Sequence, residues 1–227
     1  MFSGDPRAAA LRRDAVALVA SDATLARVAA AGGEVDIVLR PPGFATMIWL
    51  ILGQQVSIEA ADALFAVLEG VLGTVTPAGL LRLDDETLRR CGFSRQKAGY
   101  ARSLAREVLG GEFDLDGVGA LPDAEAVAAL AGRRGVGVWT AENYLIWALG
   151  RRDVFPAGDL ALRLGWQAIT AADAAPSEAA LRAVAAAWAP CRTAAAFLVW
   201  GHYLEARGRG GSRAGSTLQG RRSTRPR

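Results

Sequence analysis

Apolar residues along this chain recur at spacings of three and four rather than alternately, and that rhythm predicts helices almost throughout. In FATMIWLILGQQVSIEAADALFAVLE, residues 44–69, a single stripe of Met47, Leu50, Ile51, Ile58, Ala61, Leu64, Phe65 and Leu68 reads as one long helix, adjusted near Gly53. Upstream, residues 5–32 predict one or two short helices, with a restart at Ser21 or Asp22 and a stop at Gly32 and Gly33. Only EVDIVLRPPG has an extended flavour, and Pro41-Pro42 ends it. Thr76 before Pro77 opens a helix that Gly92 closes, Ser94 caps the next, and Pro122 with Asp123 starts another that ends at Gly132 or Gly135. Further helices are expected over 138–149, 159–169, 177–188 and 191–207. About ten helices joined by short connections, with little or no sheet, define an all-α fold.

Composition refines this picture. With 52% hydrophobic and 22% charged residues the chain has the means to fold, and its 227 residues suffice for one domain or two lobes sharing a cleft. Polar residues break every long apolar stretch, so no membrane span is expected, and Asp5 with no apolar run after it argues against a secretory signal. Cytoplasmic residence is the expectation. Cys91 and Cys191 are too few for a disulfide framework, and neither they nor His202 sit at metal-ligand spacing.

Charge is unevenly spread. Residues 207–227, RGRGGSRAGSTLQGRRSTRPR, hold seven arginines and no acid; removing them from 26 basic and 23 acidic residues leaves 19 against 23, a net of −4 for residues 1–206. The expected organisation is a helical domain over 1–206 and a disordered Arg/Gly/Ser-rich tail over 207–227, which either only solubilises the chain or is drawn to a polyanion.

Two segments carry candidate chemistry. Between two helices lies GRRGVGVWT, where Gly135 and Gly137 are free to take positive φ and present no side chain to an approaching backbone. Free amides at the start of the following helix, together with its dipole, suit a phosphate, and Arg133 and Arg134 lie on the turn; a tight αα-hairpin with no ligand uses the same glycines. Asp159 follows Phe155-Pro156-Ala157-Gly158 and precedes an apolar helix, which makes it an N-cap and equally a carboxylate held in a fixed place. Glu142 is a second acid, one turn beyond the glycines, placed to compensate the helix dipole.

RRGVGVWTAENYLIWALGRRDVFPAGD resembles the helix-hairpin-helix and Gly/Pro-Asp signature of a superfamily of DNA base-excision glycosylases, in the alkylated-base branch that contains bacterial 3-methyladenine DNA glycosylase II. Three further segments are similar to that branch in the same order: FATMIWLILGQQVSIEAA, CGFSRQKAGY and WAPCRTAAAFLVW. The resemblance implies a two-lobed helical fold with a central cleft and the hairpin motif within about 123–149. It implies Asp159 as catalytic carboxylate, a base pocket of Trp139, Trp200 and Asn143, and Gln55 as the wedge that fills the gap left by an extruded nucleotide. It further implies a phosphate clasp of Gly135, Val136, Gly137, Val138 and Thr140, with Arg133 and Arg134 as flanking DNA contacts. No cofactor is required, although sodium or potassium at the hairpin backbone by Val136 belongs to the pattern. Partners follow as damaged double-stranded DNA, engaged by a monomer.

Bifunctional members place lysine where this chain has Trp139, and Lys97 is its sole lysine, so hydrolysis without strand cleavage is implied. Cys191 stands where the branch has tryptophan, which opens hypoxanthine or ethenoadenine as alternative lesions beside 3-methyladenine and 7-methylguanine. A noncatalytic hairpin protein that only binds DNA is the alternative of another class. Without the resemblance, both tryptophans read first as core residues.

Overall fold

The computed structural model describes residues 5–32 and 37–208; of the Arg-rich tail only Arg207 and Gly208 fall inside, and the disorder expected of the rest lies outside the described residues. Among those residues there are twelve α-helices and two short 3-10 turns, with no strand. They divide between two hydrophobic cores. The first is built by α3 (Phe44–Gly53), α4 (Ile58–Leu72), α5 (Pro77–Leu81), α6 (Asp85–Arg90), α7 (Arg95–Leu109), α8 (Asp123–Ala131) and α9 (Val138–Trp147). The second joins the two ends of the helical region: α1 (Pro6–Ser21) and α2 (Ala23–Gly32) pack with α10 (Leu160–Thr170), α11 (Glu178–Ala185) and α12 (Arg192–Ala206).

Helix α3 is the axis of the first core because it is apolar all round. Eight of its ten residues are buried, and it packs on α4, α7 and α9 together. Truncating one of its fully buried leucines or isoleucines removes about 2–5 kcal/mol of stability. In the second core α12 has the same role, packing against α1, α2 and α10. No single helix among the described residues is long and apolar enough to cross a membrane.

Capping chemistry explains where the structure departs from the periodicity. The expected helix over 44–69 is two helices: Gln55 adopts φ 61°, and Ser57 Oγ accepts the Ala60 amide at 3.3 Å to start α4. Each half keeps its part of the apolar stripe, which is why the pattern showed no break. Likewise the segment from Thr76 to Gly92 splits, because Asp84 Oδ1 accepts the Thr87 amide at 2.8 Å and opens a new helix. The helix expected over 138–149 stops at Trp147, and the one expected over 177–188 finishes as a 3-10 turn over Ala186–Trp188. Asp22 rather than Ser21 restarts the chain after α1, accepting from the amides of Thr24 and Leu25 at 2.8 and 3.0 Å.

Candidate functional site

Asp159 sits at the junction of the two cores, on a loop that is fastened before it reaches α10. Thr193 Oγ1 accepts the Val154 amide at 3.0 Å and donates to the Val154 carbonyl at 2.8 Å, while Asp153 takes Arg192 through both carboxylate oxygens at 2.7 and 2.9 Å. Phe155 and Ala157 are buried in the second core. The carboxylate of Asp159, itself half-buried, then receives three N–H donors. The Leu162 amide reaches Oδ1 at 3.1 Å, Trp200 Nε1 reaches Oδ1 at 3.1 Å, and Trp139 Nε1 reaches Oδ2 at 2.7 Å. An ionised carboxylate only accepts, so three donors match the anion and fix both oxygens.

The two indoles come from helices distant in sequence. Trp139 is in the first turn of α9, and Trp200 is on α12, packed against both cores. Behind Trp200 lie Trp147 and Phe197, at ring-centroid distances of 5.9 and 5.6 Å. Asn143, expected in the base pocket, is buried at 3% exposure. Its amide group donates to the Trp139 carbonyl at 2.8 Å and accepts from Trp147 Nε1 at 3.1 Å. Helical spacing puts residue 143 on the face of residue 139 but on its inner side, so Asn143 braces the tryptophans from behind. Trp147, which sequence reasoning passed over, is the ring it braces; no motif signalled it.

In the hairpin the two glycines have separate reasons. Gly135 has φ +81°, and a Cβ there would lie 2.0 Å from Cγ of Tyr100. Gly137, contrary to expectation, has φ −83°; it is the cap residue of α9, and a Cβ on it would meet nothing within 4 Å. Its bareness therefore leaves open space in front of the helix. The first main-chain bond of α9 runs from the Ala141 amide to the Gly137 carbonyl at 3.0 Å, and no side chain caps Gly137, so the amides of Val138, Trp139 and Thr140 are the orphan donors of that turn. Val138 is exposed at 49% and Val136 is buried at 3%.

Two hairpin expectations change on contact with neighbours. The Thr140 side chain is buried and its hydroxyl accepts from Gln54 Nε2 at 3.1 Å, so only its amide faces the turn's open side. Arg133 bends back to Glu107 at 3.1 Å and over the Phe113 ring at 5.1 Å, leaving Arg134 as the exposed cation of the pair.

Facing the hairpin is the α3–α4 turn, where Gln55 is exposed in its left-handed conformation. The two elements wall a cleft of about 510 Å³, lined by Gln54, Gln55, Ser94, Lys97, Tyr100 and Arg133 among others. Asp159, Trp139 and Trp200 are outside that lining, so the cleft and the carboxylate are distinct parts of the surface. Lys97 is held by the carbonyls of Leu52 and Gln54, and burial lowers its amine below the ordinary lysine value.

Glu142 is buried at 7% exposure and bound to Arg182 at 3.0 Å; burial raises its carboxyl above the usual range and outweighs the arginine's opposing pull. The pair joins a buried carboxylate to an arginine that is itself exposed. Cys191 caps α12 beside Asp14 and Arg152, nine residues and about 13 Å of helix rise from Trp200. The tryptophan-to-cysteine departure thus lies at the opposite end of α12 from Trp200.

The comparisons with known proteins agree with this geometry. A family model described as HhH-GPD superfamily base excision DNA repair protein matches residues 48–191. DNA-3-methyladenine glycosylase 1 of Schizosaccharomyces pombe is 31% identical over 158 residues, covering 68% of this chain and 69% of that protein. Among solved structures, the 3-methyladenine DNA glycosylase of the same yeast in complex with abasic-DNA aligns with a TM-score of 0.76 at 27% identity, over 83% of this chain and 95% of that one. A DNA-3-methyladenine glycosidase from Bacillus halodurans aligns with a TM-score of 0.69 at 30% identity, over 84% and 88% of the two chains. With a glycine hairpin, a carboxylate capping the next long helix and an all-helical frame of the same shape, the chain belongs to the HhH-GPD superfamily of base excision DNA repair proteins.

Proposed function

We propose that this protein hydrolyses the N-glycosidic bond of alkylated purines in duplex DNA, 3-methyladenine foremost and 7-methylguanine beside it, without cutting the strand. The carrying observation is the Asp159 carboxylate, fixed by indoles from α9 and α12 and a helix amide while half exposed. An N-alkylated purine is cationic, so it leaves C1′ as a neutral base that takes the bonding electron pair with it. Positive charge then develops on the sugar, where an anionic oxygen pair that needs no reorganisation contributes about 3–4 kcal/mol of transition-state stabilisation. Water adds to C1′ and releases its proton, which completes hydrolysis.

Substrate handling follows from the rest of the surface. The orphan amides in front of Gly137 take a backbone phosphate, a contact that positions DNA without reading sequence. Gln55 enters the stack as the lesion leaves, at an extrusion cost of a few kcal/mol that a poorly paired base lowers. The half-exposed ring surfaces of Trp139 and Trp200 attract a cationic base. A sodium or potassium ion at the hairpin would use backbone oxygens such as that of Val136 and would add positive charge beside the phosphate. The Gly135 carbonyl there already accepts from Gln54 Nε2 at 2.9 Å. Hydrolysis rather than Schiff-base chemistry is supported by Trp139 beside Asp159 and by the placement of Lys97 against the Leu52 and Gln54 carbonyls. One chain supplies carboxylate, hairpin and wedge, which suits a monomer acting on DNA in the cytoplasm.

Base release from duplexes carrying 3-methyladenine, 7-methylguanine or hypoxanthine, followed by chromatography for the wild-type chain and Asp159→Asn, tests this reading. Release from the methylated purines that collapses in the variant is expected. Tight binding with no release by the wild-type chain would make it a DNA clamp instead.

A further inference from the structure

Away from Asp159, polar groups converge most densely where the α3–α4 turn meets α7 and the hairpin. Helix α3 ends at Gly53 with orphan carbonyls and the negative end of its dipole. Lys97 Nζ lies against that end, donating to the Leu52 carbonyl at 2.7 Å and the Gln54 carbonyl at 2.8 Å. Its own backbone is fixed, since the Lys97 amide donates to the capping hydroxyl of Ser94 at 3.2 Å. From the same turn the Gln54 side chain crosses to the hairpin, where Nε2 donates to the Gly135 carbonyl at 2.9 Å and to Thr140 Oγ1 at 3.1 Å. The residue between these anchors and α4 is Gln55, exposed and at φ 61°, a conformation a non-glycine residue keeps only when its surroundings hold it.

We propose that Lys97 is a positioning residue for strand insertion: its grip on the Leu52 and Gln54 carbonyls fixes the turn that projects Gln55, and Gln54 ties that turn to the phosphate-gripping hairpin. The two walls of the cleft therefore approach DNA as one piece, with Gln55 already in register with the bound phosphate. Lys97 touches no reacting atom in this role. Loosening the turn lets the hairpin still bind while insertion slows. The assignment rests on the glycosylase reading only in taking Gln55 as the inserting residue.

The test reads insertion separately from chemistry. A duplex with 2-aminopurine next to a tetrahydrofuran abasic site brightens when a wedge unstacks the fluorescent base. With the wild-type chain and with Asp159→Asn we expect the same stopped-flow rise. Lys97→Met should bind this duplex yet slow the rise about tenfold or more, the scale of one lost charge-assisted hydrogen bond, and Lys97→Arg should recover part of the rate. Gln54→Ala, which leaves Lys97 in place, should slow it as well and carries the test if Lys97→Met does not fold by circular dichroism. No rise with the wild-type chain, or an undiminished rise in the folded variants, overturns the proposal. Absence of base release by a wild-type chain that still gives the rise would instead sink the glycosylase reading and leave the clamp standing.

Discussion

Replacing Trp139 by phenylalanine keeps an aromatic ring on the first turn of α9 and removes the pyrrole half of the indole, with it the N–H that reaches Asp159 Oδ2 at 2.7 Å. The two carboxylate oxygens are unequally supported. Oδ1 has both Trp200 Nε1 and the Leu162 amide at 3.1 Å, whereas Trp139 is the only donor to Oδ2 among the described residues. A hydrogen bond to a charged group contributes about 1.5–3 kcal/mol. If that bond fixes the oxygen that faces the sugar cation, its loss lowers single-turnover base release by about ten- to a hundredfold, at 1.36 kcal/mol per decade. Trp200→Phe, which leaves Oδ1 the Leu162 amide, should cost less. The assay is single-turnover release of 7-methylguanine from a duplex with enzyme in excess, so product departure does not mask the step. Equal and full activity in Trp139→Phe and the wild-type chain, with loss only in Trp139→Ala, would show that the ring and not its N–H matters, and would refute this account of how Asp159 is held.

The hairpin glycines should separate stability from binding. Gly135→Ala combines left-handed strain with a Cβ driven into the Tyr100 ring, and should lose roughly 2–4 kcal/mol in urea melts. Gly137→Ala meets nothing within 4 Å, so it should melt like the wild-type chain while binding duplex DNA more weakly, because the new methyl stands before the orphan amides. Asp153 supplies a pH signature. Arg192 beside it holds its carboxyl below the ordinary aspartate value of 3.8, so its stabilising contribution is complete above that pH and fades as pH falls through the lowered folded value. Asp153→Asn should therefore be less stable by about 1 kcal/mol at pH 7, with the gap to wild type closing below pH 3.8; a gap that persists there would mean packing, not charge, is responsible.

Much of the frame was legible because it is written in local signals. Thr76, Ser94 and Asp159 each cap a helix through a bond spanning three residues, and a glycine or proline marks many of the stops. What escaped was tertiary. The apolar stripe through 44–69 is continuous across the break at Gln54–Ser57 because both helices bury the same kind of face, and periodicity has no term for a left-handed residue beside carbonyls that a distant lysine binds. Asn143 reads as a polar residue available to a ligand until Trp147, four residues on, is seen to fill its carbonyl. Only the family resemblance set Gln55 apart from Gln54, and nothing in the sequence showed that Gln54 turns toward the hairpin. The tryptophans at 139 and 200 were legible through family resemblance, but their bonds to opposite oxygens of one carboxylate were not.

The second core also sets an order of assembly. It joins Leu18, Leu25 and Val28, near one end of the chain, to residues from Phe155 to Val199, while the first core is drawn mainly from the continuous stretch between Ile37 and Val154. During synthesis the first core, which also takes Ala8 and Leu11 of α1, has all its central helices before α12 exists, whereas Leu18, Leu25 and Val28 gain their second-core partners only more than a hundred residues later. Contacts of such separation form slowly. Since Asp159 needs an indole from α9 and another from α12, the carboxylate is fully seated only once α12 has docked on the rest of the chain.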